Sequence, residues 1–414
     1  MIVSISLLLI NLLIIIFEFS HKSIAILLWS VLLVLFTIPH FIIYYLGIYS
    51  KSTLNEAGLF VCFFNLFYLM TRIILNYAFR TKYKEKIINY EKITKEKKRN
   101  VNTYTILYLI VFSVLLIDLI SKGYSIFTLT WTEARIYNKG FIPKIIKYFL
   151  TAFGGVGFIN FLRKERSKFI IVFFIYLFYV LITKSRFDII PFIIPFLIYY
   201  LFSGNTKKIL KSIFLGFVTL FSIFLLQQIR YAGSIITLFN NHSVSEIVKN
   251  AFSYLINLKG EFELSRVFYY FVENDNNFKN FGEGRTYIRL ILLLFPGSIF
   301  HFKYRDFAMD MWEAWWRIPT YEGTMHPTLY GDVYANFGFI GVFMGIFYAV
   351  LVKFNDYLIN NTKIESKRVF YISIIGTMYV VLARGAVYNS IANAFWSIIL
   401  INIISNTIMR IKVR

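Results

Sequence analysis

The sequence predicts an all-α polytopic membrane protein with about eleven transmembrane helices. Composition is the first reason, because 58% of the 414 residues are hydrophobic and 20% are aromatic, well above what one soluble core requires. The second is the recurrence of apolar runs of about 20 residues, the length that crosses a hydrocarbon layer of about 30 Å. The third is the gathering of lysine and arginine in short segments between those runs. The bilayer is therefore the expected solvent of this chain.

The apolar runs define the predicted elements in chain order. The predicted spans cover residues 2–17, 24–47, 57–79, 104–121, 143–162, 168–183, 187–203, 208–229, 328–352, 368–384 and 387–409. The first run is interpreted as a retained helix, because it lacks the basic start and small-residue cleavage site of a signal peptide. Neither an internal repeat nor a low-complexity linker is visible, so residues 1–414 are predicted to form a single integral membrane domain.

The basic segments between the spans predict the topology. Lysine and arginine in short connections are retained on the cytoplasmic side of a membrane. The basic connections alternate along the chain and lie at residues 80–99, 163–168, 207–211, 353–368 and 410–414. This alternation predicts that the amino terminus lies outside and the carboxyl terminus lies in the cytoplasm.

One large loop, residues 230–327, is predicted to lie on the extracytoplasmic side. It contains ten basic and ten acidic residues, a neutral balance that differs from the basic cytoplasmic connections. Within it, residues 286–295 form an apolar stretch that is too short to span a bilayer and ends at Pro296 and Gly297. Such a stretch is typical of a helix at the membrane interface. The loop is therefore expected to contain short interfacial helices.

Charge and motif content exclude several functions. The formal net charge of +22 lies in membrane-flanking segments, and no aromatic-interleaved basic groove predicts nucleic-acid binding. The single cysteine, Cys62, cannot form an intramolecular disulfide. Neither a Gly-x-x-x-x-Gly-Lys phosphate loop nor an Asp-x-Asp pair occurs, and the five histidines lack metal-ligand spacing. We therefore expect no nucleic-acid partner, no cofactor and no metal site.

Three arginines lie at the predicted outer ends of helices, against the positive-inside bias. They are Arg186, Arg230 and Arg384. A guanidinium group offers a planar, permanently charged fork to a phosphate, and a charge at membrane depth usually faces a cavity or a partner. The three arginines therefore predict a bound anion, with the alternative that each extends to lipid headgroups.

A histidine and a carboxylate lie where the large loop re-enters the membrane, in the sequence His326-Pro-Thr-Leu-Tyr-Gly-Asp332. Asp332 is expected about two turns into a helix, just below the outer surface, where Arg186, Arg230 or Arg384 could pair with it. His326, whose ordinary pKa is about 6.5, could accept a proton from a hydroxyl group. The alternative is that His326 is a plain surface or helix-capping residue.

These residues resemble the Wzy-type polymerases of O-antigen and capsular polysaccharide. The resemblance rests on Arg186 after the sixth span, on the sequence Gly-Glu-Gly-Arg-Thr-Tyr at 282–287, and on the stretch from His326 to Gly341. The last stretch is also similar to the O-antigen ligases. Those ligases usually carry asparagine where this chain has Pro327, and this difference favours a polymerase.

The chain departs from the pattern of the polymerase family at two positions. The family commonly carries glutamate where this chain has Asp332. It also carries arginine after the proline of the apolar turn, where this chain has Gly297. The roles that the family assigns to these two positions therefore transfer less directly to Asp332 and Gly297.

The resemblance implies a GT-C-like, metal-independent glycosyltransferase in the bacterial cytoplasmic (inner) membrane, active in capsule or lipopolysaccharide biosynthesis. Its substrate would be oligosaccharide repeat units carried on undecaprenyl diphosphate, and its partners the lipid bilayer and a chain-length regulator protein. His326 and Asp332 would be catalytic. The implied substrate-binding residues are Arg186, Arg230, Arg384, Arg285, Glu283, Tyr334 and Asn336.

Three other functions remain alternatives. A ligase-like glycosyltransferase would use the same donor with another acceptor. A flippase or transporter of lipid-linked oligosaccharides would also have many spans and charges at membrane depth, but such proteins usually show repeat symmetry. A non-catalytic assembly subunit is the third alternative.

Overall fold

A computed structural model describes residues 1–79, 88–96, 98–124, 130–232, 237–238, 243–249, 260–293, 305–317 and 323–410. Every regular element in this described part is helical. The α-helices, numbered in chain order, are α1 (Ile2–Ser20), α2 (Ile26–Leu32), α3 (Ile38–Leu46), α4 (Lys51–Ala78), α5 (Tyr90–Lys95), α6 (Lys98–Ser121), α7 (Trp131–Asn138), α8 (Phe141–Ala152), α9 (Val156–Leu162), α10 (Arg166–Thr183), α11 (Ile190–Leu201), α12 (Thr206–Ala232), α13 (Leu264–Glu273), α14 (Arg285–Leu292), α15 (Phe307–Trp316), α16 (Thr328–Phe337), α17 (Met344–Asn361), α18 (Glu365–Ala383) and α19 (Val387–Arg410). Shorter turns lie at Leu33–Thr37, Arg186–Ile189, Gly260–Glu263 and Gly338–Phe343.

Nine segments of the described chain are long and apolar enough to cross a membrane, which is the architecture of a multi-pass membrane protein. They coincide with nine of the eleven predicted spans. The predicted span at 187–203 is not among these nine, because it forms a 3-10 turn followed by the 12-residue helix α11, which is about 18 Å long. The predicted span at 208–229 lies within the 27-residue helix α12. The count of eleven and the GT-C class stay predictions.

Contacts divide the chain into two compact units. Unit 1 comprises Met1–Tyr83, Leu258–Tyr357 and Met378–Ala392, and unit 2 comprises Lys84–Asn257, Leu358–Thr377 and Asn393–Arg414. Helices α13 to α15, which lie in the large loop, belong to unit 1. They are 8 to 10 residues long, as the prediction of short helices in this loop requires. The single membrane domain and the interfacial position of these helices stay predictions.

The core of unit 1 is aromatic. Phe268 on α13 is fully buried, and its ring centroid lies 5.6 Å from that of Phe36 and 5.8 Å from that of Phe60. The ring of Tyr334 on α16 lies 5.5 Å from Phe268 on another side. Tilted and edge-on pairs of this kind add about 0.5–1.5 kcal/mol each beyond the area they bury. The cluster therefore holds the loop helix α13 against α4 and α16.

A cluster of buried charges joins α1, α4 and α17 in unit 1. Arg72 donates to both carboxylate oxygens of Glu18, at 2.8 and 2.7 Å, and to Asp356 at 2.7 Å. Ser23 donates to Asp356 at 2.8 Å, and Tyr68 donates to Glu18 at 2.6 Å. These five residues are named the closed cluster, because all of them are buried.

The closed cluster also indicates how three helices are oriented. Glu18, Arg72 and Asp356 each lie near the carboxyl end of their helix. Closer to the amino ends, Val3 lies against Gly58, and the backbone of Phe64 lies against Gly345. Helices α1, α4 and α17 therefore run parallel, as the alternating topology predicts. Which of their ends faces the cytoplasm stays a prediction.

In unit 2, glycine permits a close approach between helices. Gly154 lies in the turn between α8 and α9, and a Cβ atom there would lie 2.6 Å from Oγ of Ser373 and 2.7 Å from the carbonyl oxygen of Pro191. Ser373 on α18 donates a short hydrogen bond to that same carbonyl oxygen. Because no side chain larger than hydrogen fits, the turn packs directly on α11 and α18. This packing fixes the amino-terminal end of α11, next to which Arg186 lies.

Candidate functional site

Helix α16, which carries Asp332, begins in a strained turn. Thr328 has a φ angle of +65°, which is costly for a β-branched residue. Its backbone N–H donates to the carbonyl oxygen of Arg384 at 3.1 Å. Gly385 has a φ angle of +95°, and a Cβ atom there would lie 2.5 Å from the carbonyl oxygen of Thr328. The backbone thus holds the turn at Arg384 against the start of α16, two residues after His326.

Asp332 is buried within α16, with 2% of its surface exposed. Its Oδ2 atom accepts from the Thr286 hydroxyl group at 3.5 Å, and its Oδ1 atom accepts from Nδ2 of Asn336 at 3.2 Å. Among the described residues of unit 1, no arginine forms an ion pair with Asp332. The expected pairing with Arg384 is therefore not formed, and neutral donors compensate for burial of the carboxyl group.

Asn336 joins two helices of unit 1. Its Oδ1 atom accepts from the backbone N–H of Thr286 at 3.0 Å, and its Nδ2 atom donates to the Thr286 hydroxyl oxygen at 3.1 Å. The backbone N–H of Gly284 donates to the Asn336 carbonyl oxygen at 3.0 Å. Asn336 is fully buried, so as the structure stands its side chain anchors the start of α14 on α16. Its predicted role in substrate binding stays a prediction.

The amino-terminal turn of α14 requires glycine. Gly284 caps the helix with a φ angle of +67°, and a Cβ atom there would lie 2.9 Å from the ring of Phe337. Only glycine adopts this conformation without strain and also leaves room for the ring. The Gly-Glu-Gly-Arg-Thr-Tyr sequence therefore allows the start of α14 to pack against α16.

Helix α14 presents two arginines, Arg285 and Arg289, four residues apart. Nε of Arg285 lies 2.7 Å from Glu283, and its Nη1 atom lies 3.9 Å from Asp310. Arg289 pairs with Asp306 at 3.1 Å. Its guanidinium carbon lies 3.8 Å from the ring centroid of Tyr388, a cation–π contact. The Arg289 side chain is 27% exposed, although its Nη1 atom is buried.

The tyrosines of the site are largely buried. Tyr287 shares a hydrogen bond of 2.7 Å with the hydroxyl group of Tyr348. Burial, with smaller contributions from Tyr348 and Asp332, raises the pKa of Tyr287 well above its ordinary value, so Tyr287 is neutral. Tyr334 is buried against Phe60 and Phe268, and its hydroxyl group donates to Glu56 at 3.4 Å. In this arrangement Tyr334 supports the core, and its predicted substrate contact stays a prediction.

The predicted residues Arg186 and Arg230 belong to unit 2. Arg186 begins the 3-10 turn before α11, and its Nη1 atom donates a short hydrogen bond to Oε1 of Gln227 on α12. In the same turn Asp188 pairs with Lys147 at 3.1 Å. Burial lowers the pKa of the neighbouring Lys184. Arg230 lies in α12, but its side chain is outside the described residues, as are Pro296 and Gly297 of the loop.

Unit 1 therefore brings together most of the predicted residues. His326, Asp332 and Asn336 share one segment, the turn at Arg384 packs on that segment, and α14 adds Arg285 beside Glu283. The pattern of the sequence did not mark Arg289, Asp306 or Tyr388 as candidate site residues. The signal that could have found Arg289 is its spacing of four residues from Arg285, which places both on one face of a short helix.

Comparison of the chain with protein-family profiles, with curated proteins and with solved structures finds no match. Among the described residues, no group of three histidine, cysteine, aspartate or glutamate side chains could hold a metal ion. The chemistry of the site therefore has to be argued from its own geometry.

Proposed function

We propose that this chain is a polysaccharide polymerase that joins undecaprenyl-diphosphate-linked oligosaccharide repeat units at the extracytoplasmic face of the bacterial cytoplasmic membrane. The observation that carries the proposal is that α14, which bears Arg285 and Arg289, packs on α16 through the contacts of Thr286 with Asp332 and Asn336, while the turn at Arg384 packs on the start of α16. Cations held on the helix that packs against α16, which begins two residues after His326, suit a reaction that expels a diphosphate. The resemblance to Wzy-type polymerases supplies the substrate class.

In the proposed reaction, the donor glycan moves from its lipid carrier to a sugar hydroxyl group of the acceptor. The hydroxyl oxygen forms a bond to the anomeric carbon of the donor, and the bond between that carbon and the diphosphate oxygen breaks. The hydroxyl proton passes to a base on the protein. Undecaprenyl diphosphate leaves with the electron pair of the broken bond, so the balance requires neither a metal nor a nucleotide.

The arginines are assigned to the diphosphate. Negative charge grows on the leaving oxygen as the bond breaks, and donors that already point at that position lower the barrier. Arg289 is preorganised for this role, because Tyr388 and Asp306 hold its guanidinium group while part of it remains exposed. Arg285 is held by Glu283 in a similar way. Each guanidinium group can make bidentate bonds to phosphate oxygens.

The proton acceptor is assigned to His326. A neutral imidazole accepts a proton near pH 7, and His326 is 9% exposed, compared with 2% for Asp332. Asp332 is assigned to the support of the site, because its bond to Thr286 helps to keep α14, with its two arginines, beside α16.

The proposal is tested by deletion of the gene, followed by separation of the lipid-linked and surface glycans by length. We expect long chains to vanish while material with one repeat persists on the outer face. Accumulation of single repeats only on the cytoplasmic face would instead indicate a flippase. Long chains that persist on the lipid carrier but never reach their final acceptor would indicate a ligase.

The unit 2 arginines are tested separately, by Arg186→Lys and Arg230→Lys. Lysine keeps the charge but not the planar fork. We expect chain extension to be lost in both variants while the amount of protein in the membrane is unchanged. Full extension in both would contradict a bidentate contact from these arginines to the diphosphate.

A further inference from the structure

A polar cavity lies in the loop part of unit 1, between the α13–α14 connection and α15. Its volume is about 280 Å³, near the lower end of the range of about 300–1,000 Å³ for ligand sites. It is lined by Phe278, Lys279, Asn280, Arg305, Asp310, Glu313, Ala314 and Arg317. The cavity thus combines an aromatic face with five charged side chains and one amide, a mixture suited to a ring that carries hydroxyl groups.

The inner charges of this cavity are paired with one another. Arg305 contacts both carboxylate oxygens of Glu313, at 3.1 and 2.6 Å. Asp310 accepts from Nδ2 of Asn280 at 3.1 Å and lies 3.5 Å from Arg305. Burial raises the pKa of the Asp310 carboxyl group, although Asn280, Arg305 and Arg285 oppose that rise. At the floor of the cavity, one guanidinium group, that of Arg305, is therefore shared by the carboxyl groups of Glu313 and Asp310.

The mouth of the cavity, by contrast, is positive. Lys279 and Arg317 are both exposed there. Within the described part of the chain, no carboxylate forms an ion pair with either of them. Nε of Arg317 donates to the Tyr270 hydroxyl oxygen at 3.0 Å, which leaves its two terminal nitrogens directed elsewhere. An anion at the mouth would therefore meet two cations.

We propose that this cavity binds an anionic sugar residue of a glycan, with the ring against Phe278 and the acidic group between Lys279 and Arg317. Aromatic faces pack against sugar rings through their apolar C–H groups, and paired side chains such as Asn280 and Glu313 offer partners for hydroxyl groups. That the ligand is a glycan rather than another anion rests on the proposed function.

The cavity is also connected with the candidate site. Asp310 lines the cavity, and its Oδ2 atom lies 3.9 Å from Nη1 of Arg285. Helix α15 carries Asp310 and begins directly after Asp306, the partner of Arg289. A glycan held in the cavity would thus lie against Asp310, beside Arg285, and against the helix that begins next to the partner of Arg289. The cavity would in this way select which repeat unit is extended.

The test is binding of three matched disaccharides to the purified full-length protein, measured by saturation-transfer NMR. Cellobiose is neutral, cellobiuronic acid carries a carboxylate, and cellobiose 6′-phosphate carries a phosphate. We expect at least one acidic disaccharide to bind about fivefold more tightly than cellobiose. The acid that binds better identifies whether the natural group is a carboxylate or a phosphate.

Three variants locate the binding. Lys279→Gln and Arg317→Gln should each reduce the preference for the acidic disaccharide about threefold or more. Lys51→Gln, which removes an exposed charge of unit 1 outside the cavity, should leave it unchanged. Equal binding of all three disaccharides, an equal effect of all three variants, or complete displacement by the same concentration of inorganic phosphate would overturn the proposal. Because no glycan is transferred, these results are independent of polymerase activity.

Discussion

Unit 1 contains two groups of charged residues that differ in how they meet solvent. In the closed cluster, Arg72 and Glu18 are 0% exposed, and Asp356 is 3% exposed. In the candidate site, Arg289 and Asp306 are 27% and 28% exposed. The charged members of the first group form their ion pairs with one another, although the Nη1 atom of Arg72 has no hydrogen-bond partner. In the candidate site, the side chains of Arg289 and Asp306 remain partly exposed to solvent.

This difference shows that a buried charged side chain does not by itself indicate a functional site. Breaking a buried ion pair is costly, because the remaining partner stays buried and uncompensated. A network such as that of Arg72 therefore fixes the positions of helices. Arg289, by contrast, stacks on the ring of Tyr388 and pairs with the partly exposed Asp306. Such a guanidinium group is held in place but can exchange its carboxylate partner for a phosphate.

The largest effect is expected from Arg72→Ala, which leaves the carboxylates of Glu18 and Asp356 buried without their cation. The loss of stability should be about 3–5 kcal/mol. The measurement is the fraction of protein that stays monodisperse on size-exclusion chromatography after heating. We expect that fraction to fall sharply relative to the wild type.

A triple variant, Glu18→Gln with Arg72→Met and Asp356→Asn, sharpens this result. Removal of all charges together often costs little stability. The triple variant should therefore recover most of the heat resistance and should still extend glycan chains. A stable triple variant without chain extension would mean that the closed cluster takes part in the reaction. It would contradict the assignment of a purely structural role to that cluster.

An intermediate effect is expected from Gly385→Ala. The added Cβ atom would lie 2.5 Å from the Thr328 carbonyl oxygen, at a φ angle of +95°. The resulting strain and displacement should cost about 1–3 kcal/mol and should shift the Arg384 turn from the start of α16. We expect a lower thermal midpoint and strongly reduced chain extension. Gly204→Ala is the matched control, because Gly204 also has a positive φ angle of +70° but no atom within 4 Å of its Cβ position.

A smaller effect on stability than that of Gly385→Ala is expected from Arg289→Lys. Its partner Asp306 is partly exposed, and such pairs contribute about 0–1 kcal/mol. Lysine cannot reproduce the planar stack on Tyr388 or a bidentate contact to phosphate. Chain extension should therefore fall at least tenfold while the thermal midpoint changes little. Glu283→Gln, which alters an exposed ion pair of Arg285, should have a smaller effect on both readouts.

Most of the fold could be predicted from the sequence, because the length of an apolar run is a local property. Nine predicted spans coincide with helices of sufficient length. The run at 187–203 is one of the two that do not, since its composition is apolar although α11 has only 12 residues and is preceded by a 3-10 turn. Apolar composition reports burial or lipid contact, but it does not report where a helix begins, and α11 starts only at Ile190, with Pro191 in its first turn.

The candidate site was only partly predictable. His326, Asp332 and Arg384 stand out because each is polar within an apolar context. The contacts of Thr286 with Asn336, and of Arg289 with Tyr388, join residues that are far apart in the chain. No local pattern specifies which distant residues will meet. For the same reason the sequence suggested an arginine as the partner of Asp332, whereas the structure provides Thr286 and Asn336.

The central claim is that the site around α16 joins lipid-linked repeat units without a metal. It is tested most directly by reconstituting the purified chain in liposomes that contain undecaprenyl-diphosphate-linked repeats, in the presence of EDTA, with glycan length resolved on a gel. The account predicts a ladder of longer glycans from the wild type. It predicts no ladder from His326→Ala or Arg289→Ala when the thermal midpoints of these variants are unchanged. A folded wild type that makes no ladder, or ladders of equal length from both variants, would contradict the account.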